Sequence, residues 1–582
     1  MNTDMWIKGQ TDNELNDLIP FFDTRTKKIY RNSFNFLCVL FITTIIIVFC
    51  PWEATCGQKN DSRFILFADK DYSSLESDEL LSWIDSLTKE APLKSINIIE
   101  PLPGTILPAD MASPAFLWED AAKSSAWLIT IETNKKILLK ALLNTHWWIP
   151  DSDTWNKLKK TAGHQNLKII ITGIGGWSGR EIISQNTTFL KFSKDMVNAR
   201  LMFMRKPLPF LEAKKNPEKT SMLIGKIESY KRPETILSDP PICANCHSYS
   251  LNGNFMTMDT DYGGDKGAFV FSSMEKKVTI KNDIVFSWNE ITPQKPASYS
   301  MGLFARVSPD GRFIAGTVNE TSVFVMMDDL FFSQLFYPAT GHIAIFNTQT
   351  KKFSLLPGAS LTSRVQTTPA WSPDGKHIAF AAVSTNPELI QKVLAKEILK
   401  ESSKQKINAL NKKYPVQFDI YTLPFNHGKG GVATPLKGAS QNGNSNYFPR
   451  YSPNGKWIVF TQSPTGLVLQ PDSKLIIIPS RGGDARPLSS NQPTMNSWHS
   501  WSMNSKWLVF TCKANSPFTE LYLTHIDDQG ISSPAIRLFR FSSNDFAAMV
   551  PEFIPKHTKT PETITYGSLE HAKGKTIAID GR

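Results

Sequence analysis

The sequence predicts a mainly β protein: an N-terminal membrane anchor, an immunoglobulin-like β-sandwich, then a six- or seven-bladed β-propeller with a helical insertion. Three observations predict it. They are an uncharged apolar run near the N-terminus, short β-rich runs between 95 and 212, and four copies of one turn-and-strand motif in the second half. The chain has 582 residues, enough for two to four units at roughly 150 residues per domain. With 41% apolar and 20% charged residues it is an ordinary folded chain and not a disordered one. A mean hydropathy of −0.23 excludes a polytopic membrane protein. The net charge of +11 is thinly spread, and no Lys/Arg stripe interleaves with aromatics, so nucleic acid is not an expected partner.

The anchor is read from residues 32–52, which carry no charge and follow Arg25, Lys27, Lys28 and Arg31. The positive-inside rule keeps 1–31 in the cytoplasm and exports everything after 52. The expected location is therefore the bacterial inner membrane, single-pass, with the main body in the periplasm. A cleaved signal peptide, with Ala54 or Cys56 near the cut, is the alternative and leaves a secreted or periplasmic protein; a buried soluble helix is a third reading. Residues 53–94 form a linker with a helix over 77–89, where Leu80, Leu81, Ile84 and Leu87 share one face.

From 95 to 212 the texture is that of a sandwich. Short β-rich runs begin at Ile96, Trp127, Lys136 and Leu167, with turn signals at Pro103-Gly104 and Pro150-Asp151. A helix over 151–161 interrupts them, capped by Asp151 or Ser152. Residues 213–262 read as a linker, 263–568 as the propeller and 569–582 as a tail. The propeller rests on Val307-Ser-Pro-Asp-Gly, Trp371-Ser-Pro-Asp-Gly, Tyr451-Ser-Pro-Asn-Gly and the degenerate Trp501-Ser-Met-Asn-Ser, each followed by an apolar strand. Proline presets φ and glycine accepts a positive φ, so each copy turns the chain from one strand into the next. A Lys- and Glu-rich stretch over 386–413 is the helical insertion, and β-rich stretches at 267–290 and 531–568 supply the remaining blades.

These repeats resemble those of the TolB-like, WD-like propellers of bacterial envelopes. Phe425-Asn-His-Gly-Lys-Gly-Gly and Met495-Asn-Ser-Trp-His-Ser-Trp-Ser are similar to strings in a subgroup that joins such a propeller to an upstream sandwich and a Cys-x-x-Cys-His loop. The resemblance implies architecture and the haem motif but no reaction, because propellers host many functions.

The motif that carries chemistry is Cys243-Ala-Asn-Cys246-His247, the pattern for covalent attachment of haem c. Two thiols three positions apart tether one haem, and His247 becomes the proximal iron ligand. Met258 is the first candidate for a sixth ligand, ahead of Met256, His427 and His499, and an open sixth position is the remaining option. The same residues allow a disulfide or, with His247, part of a zinc site. Asp259-Thr-Asp261-Tyr-Gly-Gly-Asp265 has the look of a calcium loop, but Val270 stands where a bidentate glutamate belongs, so a tight turn is expected. Gly173-Ile-Gly175 lacks the third glycine of a nucleotide loop, and the segment around Ser178 lacks the last glycine of a nucleophile elbow.

The leading functional expectation is a c-type cytochrome that exchanges electrons with an envelope partner docked on its propeller. A non-catalytic, TolB-like scaffold that binds protein without haem is the alternative. A peroxidase-like haem enzyme is the second alternative.

Overall fold

A computed structural model describes residues 59–60, 64–69, 72, 76–134, 136–175, 179–291, 301–326, 329–332, 334–395, 397, 404–468, 470–556 and 558–568. The expected anchor at 32–52, Ser178 and the tail at 569–582 lie outside them. Among the described residues no helix is long and apolar enough to cross a membrane. The expected single-pass inner-membrane location is corrected to that extent: no helix of the described residues supports it.

The chain divides into two compact units, 1–102 with 115–190, and 103–114 with 191–582. In the first unit one sheet runs Lys59–Asn60, Ile65–Ala68, Lys136–Leu143, Ala126–Thr133, Asn166–Gly175, Glu181–Phe192, Thr88–Ser95. It is mixed. Ile65–Ala68 lies parallel to Lys136–Leu143, and Thr88–Ser95 lies parallel to Glu181–Phe192. A purely antiparallel immunoglobulin-like sheet has no such pairs. A smaller sheet joins Asn97–Glu100, Phe116–Glu119 and Trp147–Trp148. Helix Ser77–Asp85 buries Leu80, Leu81 and Ile84 against Leu66, Leu128 and Ile174 of the large sheet. It ends before the expected 89, because Thr88 already pairs as a strand. Helix Ser152–Ala162 starts as expected: the Asp151 carboxylate accepts from Thr154 N at 2.9 Å.

The second unit holds six four-stranded sheets, each opening on an inner strand: Ala547–Pro555, Ala244–Tyr249, Met301–Val307, Arg364–Trp371, Ser445–Tyr451 and Ser497–Trp501. Numbered I to VI in that order, each inner strand touches the next and VI touches I, so the ring closes as a six-bladed propeller. Blade I is built from both ends of the unit: Ala547–Pro555 pairs with Ala199–Lys206, which pairs with Ser221–Lys226 and then Glu234–Leu237. The propeller therefore begins at Ala199, well before the expected 263. The segment 213–262, expected as a linker, supplies outer strands of blade I and the first two strands of blade II. This closure joins 199–206 to 547–555, a pairing that local pattern does not reveal.

The helical insertion stands where expected, as Pro387–Leu394 and Lys404–Lys413 between the second and third strands of blade IV. Blade III has two long strands, Phe313–Met326 and Gln334–Asn347. The carbonyls of Leu330 and Phe331 at its tip accept from Lys513 Nζ of blade VI at 2.7 and 3.3 Å. Blades III and VI are three places apart in a ring of six, so this hairpin crosses one mouth of the central channel.

Candidate functional site

The turn that joins the first two strands of each blade explains the motif. In blade III, Ser308 Oγ bonds Asp310 Oδ1 at 2.7 Å and accepts from Phe313 N at 3.0 Å. Ser372 with Asp374 and His377, Ser452 with Asn454 and Trp457, and Ser502 with Asn504 and Trp507 repeat the arrangement. Blade II has the same turn. Ser250 Oγ bonds Asn252 Oδ1 at 2.7 Å and accepts from Phe255 N at 3.0 Å, and Gly253 takes φ 72°. Tyr249-Ser-Leu-Asn-Gly is thus a fifth copy of the repeat, unnoticed in the sequence because leucine replaces proline.

This fifth copy fixes the place of Cys-x-x-Cys-His. Counting back from the turn serine, His247 of blade II occupies the position of His499 in blade VI. Cys246 occupies that of Phe304, Thr368, Phe448 and Trp498, and Val550 precedes Glu552 by the same step. Those five residues have left-handed φ values of 62°, 53°, 52°, 38° and 49°. A register shift accompanies each, so every inner strand is bulged near one level. In blade II the shift falls between Ala244 and His247. Cys246, Phe304, Phe448 and Trp498 belong to one apolar cluster, with Phe304 and Phe448 edge-to-face at 5.3 Å. They plug the channel beneath the hairpin.

The motif residues do not fit a covalent haem. The segment is bulged between Ala244 and His247, Cys246 packs against the two apolar clusters on either side of it and His247 is fully buried, so no space beside them admits a tethered haem. Cys246 joins the plug, and burial, seconded by Asp259, pushes its thiol up to about 12. His247 has no solvent exposure and lies against Tyr249, ring centroids 5.7 Å apart. Met258 is its cross-strand partner and Met256 that of Tyr249; both are fully buried. Cross-strand neighbours stand about 5 Å apart at Cβ, too close to admit a macrocycle between them. His427 is exposed on a loop between the third and fourth strands of blade IV, at the rim of another blade. His499 is 2% exposed and its Nε2 lies 2.9 Å from the Val459 carbonyl. Burial holds His247 down to about 4 and His499 to about 3, so both are neutral. Cys243 is half-buried, with Lys206 Nζ 3.9 Å from its sulfur and 2.5 Å from Asn245 Oδ1. Among the described residues no three His, Cys, Asp or Glu side chains are grouped to hold a metal.

The carboxylates of the calcium-like segment are engaged by donors from the protein. Asp259 accepts from Phe304 N at 2.7 Å and Ala305 N at 3.2 Å, and burial pushes it up to about 7. Asp265 accepts from Gly267 N, Ser287 Oγ and Asn289 Nδ2. The segment folds as a short turn at Tyr262–Gly264, inside blade II rather than before the first blade.

The site the sequence did not announce lies on the turn side of the plug. The residue two before each turn serine, and its counterpart in blade I, faces an open funnel with a volume of about 140 Å³. Around the ring these are Glu552, Ser248, Arg306, Ala370, Arg450 and Ser500. Glu552 Oε1 accepts from Arg306 Nη1 at 2.7 Å and Arg450 Nη2 at 2.5 Å, and Oε2 accepts from Ser500 Oγ at 2.9 Å. Arg306 Nη1 also donates to the His247 carbonyl at 3.1 Å. Burial pushes the Glu552 carboxyl up, but Arg450 and Arg306 outweigh it and hold it below the usual range. Burial, then Arg306, brings Arg450 down to about 10. With both nearby histidines neutral, two arginines face one glutamate. The signal was present in Arg306-Val-Ser-Pro and Arg450-Tyr-Ser-Pro; Glu552 precedes no such turn.

No protein-family profile matches the chain, and no curated protein matches it. Among solved structures it is similar to TolB from Acinetobacter baumannii, at 13% identity and TM-score 0.38, covering 67% of this chain and 80% of that one. A putative TolB from Agrobacterium tumefaciens is 14% identical with TM-score 0.31, covering 61% of this chain and 99% of that one. An oligogalacturonate lyase in complex with manganese is 11% identical with TM-score 0.31, covering 53% of this chain and 69% of that one. The propeller assignment rests on the closed ring of six sheets and not on these likenesses.

Proposed function

We propose that this protein is a non-catalytic binding propeller that works without haem and docks another protein over the mouth of its funnel. One observation carries the reading: all six blades send an equivalent side chain into a single open funnel, while the other mouth is crossed by a hairpin and plugged. Such a surface is rigid, because five positions are fixed by an inner strand and its turn and Glu552 by its bonds to Arg306, Arg450 and Ser500, and rigidity lowers the ordering cost of binding. The rim adds Tyr249, Trp371 and Tyr451, partly exposed aromatic groups of the kind that anchor protein interfaces.

The test is site-specific photo-crosslinking in cells. A benzophenone side chain at Leu251 or Met503, both on the funnel wall, is expected to yield one discrete crosslinked protein. The control is Val432, 80% exposed on the outer part of blade IV, and should yield none. Equal labelling at all three positions, or none at Leu251 and Met503, overturns the reading.

A further inference from the structure

We propose that the funnel holds a ligand carboxylate in the gap at Ala370, bridged by Arg306 and Arg450. The inference rests on the funnel mouth being the binding face.

The ring order is what places the guest. Arg306 belongs to blade III, Ala370 to blade IV and Arg450 to blade V, so the alanine stands between the two arginines. Glu552 of blade I stands three places away, directly across the ring. Each arginine reaches the same oxygen of that one carboxylate. The arrangement is nearly mirror-symmetric, with an acid on one side of the arginine pair and a methyl group on the other.

The donor count leaves capacity on the alanine side. A guanidinium has five N–H donors. Among the described residues Arg450 spends one, on Glu552, and Arg306 uses only Nη1, shared between Glu552 and the His247 carbonyl. Both arginines line the funnel, where a planar carboxylate can accept two parallel N–H bonds from one arginine or one from each. Charge points the same way. Two cations meet one anion, and Asp259, the other acid close to Arg306, is occupied by the backbone N–H groups of Phe304 and Ala305 below the ring. A second carboxylate opposite Glu552 balances the pair. Ala370 makes room for it, whereas a longer side chain would fill the gap.

The carboxylate can come from a free dicarboxylic acid or from an acidic residue of the docked protein, and the experiment separates them. Succinate, the peptide acetyl-Ala-Ala-Glu-Ala-Ala-amide and inorganic phosphate are titrated by calorimetry into the folded protein at fixed ionic strength. Binding of either carboxylate probe, at least tenfold tighter than phosphate, is expected. Succinate alone identifies a free acid, and the peptide alone identifies a protein side chain. Binding by neither, or equal or tighter binding of phosphate, overturns the inference. Two variants locate the site. Ala370→Glu supplies the guest covalently and should stay folded while losing at least tenfold in probe affinity. Arg450→Gln should lose a similar factor. If Ala370→Glu binds the probe as the parent does, the carboxylate does not sit at that gap. Because the titration needs no partner protein, positive crosslinking with negative titration sinks only the ligand assignment.

Discussion

Blades II and VI carry nearly the same string on their inner strands, Asn-Cys-His-Ser-Tyr-Ser ending at Ser250 and Asn-Ser-Trp-His-Ser-Trp-Ser ending at Ser502. One looks like a haem attachment site and the other like a packing motif. The structure gives them one geometry: a buried neutral histidine, a small serine in the funnel ring, an aromatic at the rim and a serine that closes the turn. The difference lies one place before the histidine, where blade VI has Trp498 and blade II has Cys246. A motif is chemistry only in its proper local conformation. On this bulged inner strand, the spacing that would gather thiols and an imidazole around a haem instead packs Cys246 and His247 into the propeller.

The comparison can be strained first at the group both blades surround. Glu552→Ala leaves Arg306 and Arg450 unpaired in a buried ring and should cost roughly 3–5 kcal/mol in chemical denaturation. A loss under about 1 kcal/mol would mean the arginines are already satisfied by water. Next, the two histidines should separate. His499→Leu abandons the Val459 carbonyl and is expected to cost about 1–3 kcal/mol. Among the described residues neither ring nitrogen of His247 has a hydrogen-bond partner of good geometry, so His247→Leu should cost about 1 kcal/mol or less. The reverse order would contradict the assignment of the hydrogen bond to His499 and not to His247.

A third test is the pH dependence. His247 and His499 are held below 6.5, to about 4 and about 3, so the unfolded chain takes up more protons and stability is lost as pH falls below 6.5. Asp259 and Glu320 are raised by burial to about 7 and about 8, so the folded chain keeps their protons and stability is lost as pH rises. Between roughly pH 4.5 and 6.5 the two slopes oppose each other. From 6.5 to 8 only the acids act, and unfolding midpoints should fall. In Glu320→Gln that fall should stop near pH 7; a fall unchanged to pH 8 would remove Glu320 as its source.

Much of the propeller was legible because its turn needs particular residues: a serine that donates one bond and accepts another, an Asp or Asn oxygen to accept from it, and a residue with positive φ, glycine in every copy but that of Ser505. Ser308, Ser372, Ser452 and Ser502 announced four blades in that way. Ser250 was hidden by Leu251 and by the attention that Cys243, Cys246 and His247 attract. Blade I was not legible at all, since Ala547–Pro555 ends in Ile554-Pro555 without the turn and pairs with a strand some 350 residues earlier. For the same reason Arg306 and Arg450 could be read two places before their serines, but not the glutamate that holds them. The first unit was legible as short strands and two helices, while the parallel pairings of Ile65–Ala68 and Thr88–Ser95 depend on partners that no local pattern names.

The most direct measurement is a haem stain on a denaturing gel, with a pyridine haemochrome spectrum, on the full chain exported in a cell competent for cytochrome c maturation. Because Cys246 and His247 are packed into the propeller with no room for a macrocycle beside them, the protein should be folded and carry no covalent haem. A stained band of this protein's size that is absent in the Cys243→Ala, Cys246→Ala double variant would contradict the account.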